Sequence, residues 1–375
     1  MTDSHDASPV RSSSAVETDV VVIGAGQSGL ATAFYLRRAG LTPGQDFVVL
    51  DAAEQPGGAW PRTWDGLRLF SPASFSSLPG WMMPPWDDAA HGFPPRDHVV
   101  AYLARYEDRY DLRVLRPDRV EAVSRADDAP DGRLLVTAGQ RVFSARRVVS
   151  ATGTWDRPFW PTYPGMRDFA GQQLHTVDYR TPEAFAGQRV VVVGGGNSAA
   201  QILAEISTVA DTTWVTARPP RFLPDDVDGR ALFATARARI QALREGREHS
   251  GVAGLGDIVM VPSVKDARDR GVLHPHSMFT RLVPGGVVWA DGTARECDVI
   301  IWCTGFRPAL RHLRPLGLRT EHGRVPVGGP SGTQALHEPR LHLVGYGDWT
   351  GPASATLAGI GPSARATAEA VVEMK

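Results

Sequence analysis

The 375 residues exceed what one hydrophobic core comfortably holds and point to roughly two domains at ~100–200 residues each. Apolar residues make up 42% and charged residues 22%, an ordinary balance for a soluble globular protein and a poor one for a disordered or membrane-embedded chain. Forty Lys plus Arg against 41 Asp plus Glu leave a formal charge of -1, which excludes a global basic field for nucleic acid.

Two cysteines, Cys297 and Cys303, lack the CxxC spacing of a metal site or redox dithiol, and a reducing cytoplasm suits them. No apolar run approaches the ~18 residues of a membrane helix. The opening is polar, with Asp3, Asp6 and Glu17, unlike a secretory signal. Residues 1–17 are expected to be a disordered tail.

Residues 20–40 read VVVIGAGQSGLATAFYLRRAG, in the order strand, tight turn, helix. Gly24 permits the turn, Gly26 lets a pyrophosphate approach the backbone, and Gly29 lets the helix pack on the strand. Free N–H groups at the helix start then face the phosphates, so no basic side chain is needed. The apolar run 47–50 ends at Asp51, placed to accept hydrogen bonds from a ribose. Its distance from Gly24 exceeds the usual ~20 residues, an excess that the turn-forming stretch 41–45 absorbs.

After Gly57, Gly58, Ala59 and Trp60 comes a stretch rich in Pro and Trp, running to Pro95. Trp60, Trp64, Trp81 and Trp86 supply flat apolar surface there, either wrapped around a ligand or packed as a core cover. A helix is expected over 97–110. An antiparallel ribbon follows at 119–125, 133–138 and 141–150. Its last strand leads into Ala151, Thr152 and Gly153, where it is expected to pass beneath a cofactor. Pro158, Pro161 and Pro164 mark a domain boundary.

A second copy of the opening signal, RVVVVGGGNSAAQILAEIS, begins at Arg189. Gly194 and Gly196 match the first two fingerprint glycines and Ala199 takes the third place, with Asn197 and Ser198 opening the helix. The helix is expected to reach about Val209, and a strand over 212–216 ends near Arg218. Where the first unit ends in a carboxylate, this one ends beside a cation. A carboxylate suits a free 2′-OH, whereas an Arg accommodates a 2′-phosphate. Two units imply two nucleotides, the second being NADP(H), unless Arg218 is simply a solvated strand-end arginine.

Residues 219–269 are less regular, with a helical pattern over 228–244 and an excursion over 246–256. Asp225, Asp226, Asp228 and Asp257 do not match a calcium loop, and no metal site is expected. His274, His276 and Arg281 belong either to the nicotinamide side or to a surface loop. A hairpin at 287–290 with its turn at Asp291 and Gly292 leads into 298–303, then Thr304 and Gly305, repeating the arrangement at 151–153. A strand at 341–344 brings Asp348 toward the cofactor. N–H groups of 356–361, beginning at Thr356, are expected to meet the cofactor edge, ahead of a helix over 363–372.

Residues 169–180 read FAGQQLHTVDYR, placing Phe169, Gly171, His175 and Tyr179 in the pattern FxGxxxHxxxY. Bracketed by the two glycine fingerprints, this resembles the flavin-containing monooxygenase family, and more loosely all class B flavoprotein monooxygenases, over about residues 19–372. The resemblance implies FAD at Gly24, Gly26 and Gly29 and NADPH at Gly194, Gly196 and Ala199. Gly57, Gly58 and Trp60 look like the family's GGxW segment, and Thr304, Gly305 and Phe306 like its TGF motif. Tyr179 resembles the heteroatom-oxygenating branch; the Baeyer–Villiger branch typically has Trp there. Residues 194–205 and 222–229 resemble a smaller bacterial group associated with arsenic-resistance genes. One departure stands out. The family Asn near the flavin falls in the stretch LRLFSPAS, residues 67–74, where Phe70 occupies its place before Pro72.

The expected fold class is α/β, with two dinucleotide-binding, Rossmann-like domains. A discontinuous FAD domain takes 18–157 and 300–375, and an inserted NADP domain takes 158–299 with the linker motif at 169–179. The implied activity is an NADPH- and FAD-dependent monooxygenation in which a C4a-(hydro)peroxyflavin passes oxygen to a nitrogen, sulfur or trivalent arsenic nucleophile. His175 and Tyr179 would position and gate, the alternative being a satisfied hinge histidine, and Asp348 would be a flavin-side hydrogen-bond partner. A Baeyer–Villiger enzyme and an NADPH-oxidising, redox-sensing flavoprotein remain as alternatives, while a disulfide reductase lacks its CxxC. Dioxygen and a small molecule are the expected partners, without nucleic acid or membrane, and homodimerisation is left open.

Overall fold

The computed structural model describes residues 15–87, 93–127, 129, 132–227, 229 and 257–373. The helical pattern at 228–244 and the excursion at 246–256 lie outside the described residues, Gly229 excepted. The chain opens with β1 (Val16–Ile23), α1 (Gln27–Arg38), β2 (Phe47–Leu50) and α2 (Arg96–Arg109). The ribbon β3 (Val120–Arg125), β4 (Leu134–Ala138) and β5 (Arg141–Ser150) follows. Next come β6 (Gln172–His175), β7 (Arg189–Val193), α3 (Asn197–Ile206), β8 (Asp211–Thr216), α4 (Pro262–Asp269) and β9 (Pro275–Ser277). A small meander, β10 (Arg281–Val283), β11 (Gly286–Val288) and β12 (Ala294–Glu296), precedes β13 (Val299–Trp302). The chain closes with β14 (Val327–Gly328), β15 (Gln334–Ala335), β16 (Glu338–Leu343) and α5 (Ile360–Glu373).

Apart from the three-stranded meander, these strands make two separate sheets. The first runs β14-β15-β16-β5-β1-β2, with β4 and β3 extending from β5. Its centre is parallel, Val21 lying opposite Val48 on one side and Val148 on the other. β5 is long enough to serve twice: its first half pairs antiparallel with β4 and its second half parallel with β16. Strands buried on both faces read as unbroken apolar runs, which is why Val20–Ile23 and Phe47–Leu50 carry no polar residue. α1, α2 and α5 cover one face through Leu30, Ala33, Leu103 and Ile360. The second sheet, β6-β13-β7-β8-β9, is parallel throughout. α3 and α4 cover it through Ile202, Leu203 and Val264.

Two expected boundaries move. Val16 and Glu17, expected in the tail, instead pair with Phe143 and Ser144 in β1. The return to the first unit also comes later than residue 300. Val299–Trp302 is the middle strand of the second sheet, bonded to β6 and β7, so the crossing begins at Cys303. Its apolar run looks the same whichever sheet takes it. No helix among the described residues is long and apolar enough to cross a membrane.

Candidate functional site

Both glycine turns are held by a backbone passing directly beneath them. Gly24 has φ +98°, and a Cβ there would lie 2.7 Å from the carbonyl oxygen of Ala151. Gly194 has φ +144°, and its Cβ would lie 2.3 Å from the carbonyl oxygen of Cys303. A side chain is thus excluded at each by conformation and by space. Gly29 lets α1 approach so closely that a Cβ would fall 1.8 Å from the Gly24 oxygen. Ala199, in the third place of the second turn, is buried against the same helix–strand contact.

The helices beyond these turns begin uncapped. α1 starts at Gly26 and α3 at Gly196, neither with a side-chain cap and neither with an acid in its first turn. Nothing lies within 4 Å of where a Cβ of Gly196 would be. Uncapped N–H groups carrying the positive end of the helix dipole, open to space, fit the pyrophosphates of two dinucleotides. Asp51 is buried at the end of β2, where Oδ2 accepts the Ala25 N–H at 3.0 Å and Oδ1 the Ala53 N–H at 2.9 Å. The carboxylate therefore shapes the turn while keeping lone pairs for a ribose. Beside it the buried Nε of Arg116 has no partner among the described residues.

A strap covers the first turn. A Cβ on Gly58 would lie 2.7 Å from Cα of Gly26, so the GGAW loop rests on the helix start. Trp60 Nε1 donates to Gln27 Oε1 at 3.3 Å, and Gln27 Nε2 donates to the Ala355 oxygen at 2.6 Å. Residues 57–60 and 353–359 thus meet over Gly26. Thr356 serves the latter loop internally: its N–H goes to the Ala353 oxygen at 2.9 Å, and its hydroxyl accepts the Gly359 N–H at 3.0 Å. That corrects the expectation that the Thr356 N–H faces the cofactor. Asp348 is exposed at the start of a short 3-10 turn, where Oδ1 accepts the Ala353 N–H at 3.3 Å.

In the second unit Arg218 is exposed just past β8, its backbone oxygen 3.7 Å from a Cβ on Gly195, and its side chain makes no ion pair among the described residues. Ser198 lies in the first turn of α3. The side-chain amide of Asn197, also in that turn, is spent on neighbouring backbone. Nδ2 donates to the Asp257 oxygen at 3.0 Å and Oδ1 accepts the Val259 N–H at 2.8 Å. The acidic residues nearby are paired, Asp225 with Arg268 at 2.7 Å and Asp257 with Arg221 at 3.0 Å. His274, His276 and Arg281 are exposed.

The two crossings run antiparallel, side by side. Phe159 N–H bonds the Gly305 oxygen at 2.9 Å, Arg307 N–H the Arg157 oxygen at 2.8 Å, and Ala309 N–H the Gly153 oxygen at 2.9 Å. Trp155 from one crossing stacks on Phe306 from the other at 5.2 Å. Thr152 ties the first crossing down, its hydroxyl donating to the Ala309 oxygen at 2.9 Å beside Tyr346 Oη at 2.8 Å. Thr304 ties the second to the oxygen of Phe159.

His175 ends β6 with no exposure. Its Nε2 donates to the Gly305 oxygen at 3.1 Å and its Nδ1 accepts the Val177 N–H at 3.4 Å, so both ring nitrogens are committed. Burial pushes its pKa down, favouring the neutral ring that makes these two bonds. Tyr179 is fully buried, and its hydroxyl donates to Glu205 Oε2 at 2.7 Å. In this geometry the pair joins segments and neither side chain has a free edge for a substrate. The residues the sequence did not single out are Gln27, Glu205 and Tyr346. Of these only Glu205 left a signal, an acid set within the apolar run of α3. Phe70 packs with Leu223, Val227, Val259 and Val261, between the two units.

The family model described as pyridine nucleotide-disulphide oxidoreductase matches residues 21–252. A flavin-containing monooxygenase from Stenotrophomonas maltophilia superposes with a TM-score of 0.85 at 50% identity, covering 96% of this chain and 99% of that one. A Baeyer-Villiger monooxygenase from Streptomyces coelicolor is 36% identical over 76% of this chain and 64% of its own length. An uncharacterized oxidoreductase, CzcO, from Bacillus velezensis is 28% identical over 92% of this chain and 96% of its own length.

Proposed function

The chain belongs to the pyridine nucleotide-disulphide oxidoreductase family and is a flavin-dependent monooxygenase using FAD and NADP(H); we propose that it oxygenates a soft nucleophile, a nitrogen, sulfur or trivalent arsenic centre of a small molecule. In this reading FAD lies on the first glycine turn and NADP(H) on the second. The observation that supports it is a pair of uncapped glycine turns, each leading into a helix, in units whose two crossings are hydrogen-bonded side by side.

Bound FAD supplies hydride acceptance and dioxygen activation. The chain's own residues bind and shield. The N–H groups at Gly26 and Gly196 receive pyrophosphates, Asp51 a ribose and Arg218 a 2′-phosphate. The strap at Gly58 and Trp60 would keep water off the first nucleotide, and the stacked rings of Trp155 and Phe306 place apolar surface between the two crossings. Asp348, at the start of its short turn, is the flavin-side hydrogen-bond partner in this reading.

A second reading, ketone oxygenation, has the 36% identical Baeyer-Villiger relative in its favour. The Tyr at 179 does not weigh against it directly, since that hydroxyl bonds Glu205 and not a substrate. Turnover under labelled dioxygen with an organic sulfide, a tertiary amine, arsenite and a cyclic ketone separates the readings. Label in the oxide of at least one of the first three is expected. Labelled ester or lactone alone would favour the second reading, and hydrogen peroxide alone would leave an NADPH oxidase.

A further inference from the structure

Three segments converge on Glu205, a half-buried carboxylate that none of the nucleotide assignments uses. It lies in the last turn of α3. Its Oε1 accepts the indole N–H of Trp64 at 3.1 Å and its Oε2 the hydroxyl of Tyr179 at 2.7 Å. Trp64 belongs to the loop that continues from the strap. Arg96 of α2 anchors that loop to the first unit, donating to the Thr63 oxygen at 2.9 Å and to Asp65 at 2.6 Å, while its N–H bonds the Leu67 oxygen. Yet the Trp64 indole is only 3% exposed because it is inserted into the core of the second unit, among Ala199, Ile202 and Leu203. Tyr179 closes the linker motif, and the backbone next to it, the Arg180 oxygen, accepts the Asp65 N–H at 3.0 Å.

Gly66 completes the arrangement. A Cβ there would lie 2.3 Å from Glu205 Oε1, so any side chain at residue 66 would push the carboxylate from its place.

We infer that Glu205 is a positioning residue for hydride delivery, holding Trp64 and Tyr179 on one carboxylate and so fixing the angle of α3 against the first unit. The inference rests on the placement of NADP(H) at the N-terminus of α3. The lever is short and direct. Glu205 is about 12 Å from that N-terminus at 1.5 Å per residue, so a tilt of about 5° moves the helix start by about 1 Å. Misplacement by about 1 Å costs on the order of 100-fold where reacting atoms must meet within about 3–3.5 Å.

The test is anaerobic stopped-flow reduction of the FAD-loaded protein by saturating NADPH in wild type, Trp64→Phe, Glu205→Gln and Glu205→Leu. Trp64→Phe removes the bond between units and leaves Tyr179 on Glu205. Glu205→Gln keeps both contacts, its carbonyl accepting from Trp64 and its amide donating to Tyr179. Expected are a 10- to 100-fold slower reduction in Trp64→Phe, a rate within about threefold of wild type in Glu205→Gln, and unchanged NADP+ affinity, FAD content and dithionite reduction in both. Glu205→Leu should be at least as slow as Trp64→Phe wherever it folds. An unchanged rate in Trp64→Phe would overturn the inference. So would a slow rate accompanied by parallel losses of FAD content and melting temperature, which marks a merely structural contact. Failure of the underlying placement shows separately, as Gly194→Ala binding NADP+ like wild type.

Discussion

Gly194→Ala is the sharpest perturbation of the second turn. The new Cβ would sit 2.3 Å from the Cys303 oxygen and 3.1 Å from the Cys303 Cβ, at a backbone φ of +144°. The obstacle is backbone, the residue just past β13, held by its N–H to the Val193 oxygen at 2.7 Å, so it cannot swing aside as a long side chain would. Strain in a glycine-only conformation plus overpacking costs about 2–5 kcal/mol, or roughly 30- to 5000-fold in affinity if the binding-competent turn carries all of it. The first turn, which follows a strand of the other sheet, should be untouched. Titration of the oxidised protein with NADP+, followed by flavin and tryptophan fluorescence, reads the affinity, and the flavin-to-protein absorbance ratio reads FAD content. The expected result is a yellow protein with NADP+ affinity reduced at least 30-fold. Gly24→Ala, which meets the Ala151 oxygen at 2.7 Å, should do the opposite and yield colourless protein. Colourless Gly194→Ala, or unimpaired NADP+ binding by it, would refute the assignment of one nucleotide to each turn.

Removing the Arg218 guanidinium as Arg218→Ala should weaken NADPH about 10- to 100-fold, the value of a charge-assisted bond, and leave NADH within twofold. Equal losses in steady-state KM would remove the 2′-phosphate assignment. Asp51→Asn places a donor where two backbone donors, the N–H groups of Ala25 and Ala53, now find acceptors. An orphaned buried N–H costs about 1–3 kcal/mol, so FAD should dissociate roughly 5- to 150-fold more readily on dilution. Stability should also fall with acid. His312 and His342 are pushed down to about 4, chiefly by burial. Between that value and the ~6.5 of an unfolded histidine the unfolded chain binds more protons, so each site withdraws up to about 3 kcal/mol as pH drops through the window. Chemical denaturation at pH 7 and pH 4.5 reads this, and His342→Leu should flatten the slope.

The duplicated nucleotide unit was legible because its physics is local. Gly24 and Gly194 mark turns that only glycine makes, and the apolar runs before them can only be doubly covered strands. What crosses the molecule was less legible. Residues 299–302 are apolar enough for either sheet, and only pairing with β6 and β7 assigns them to the second. Polar side chains at the right place also proved to have prior commitments. The amide of Asn197 is taken by residues 257 and 259, and the hydroxyl of Tyr179 by Glu205. Spacing along the chain fixes where such a residue stands, but its hydrogen-bond partner comes from elsewhere in the fold.

Anaerobic mixing of the FAD-loaded protein with NADPH tests most directly that one cleft brings two nucleotides together. Loss of the oxidised flavin absorbance at a rate saturating in NADPH, and abolished by Gly194→Ala, is the predicted result. Flavin that stays oxidised while NADPH is demonstrably bound would contradict it.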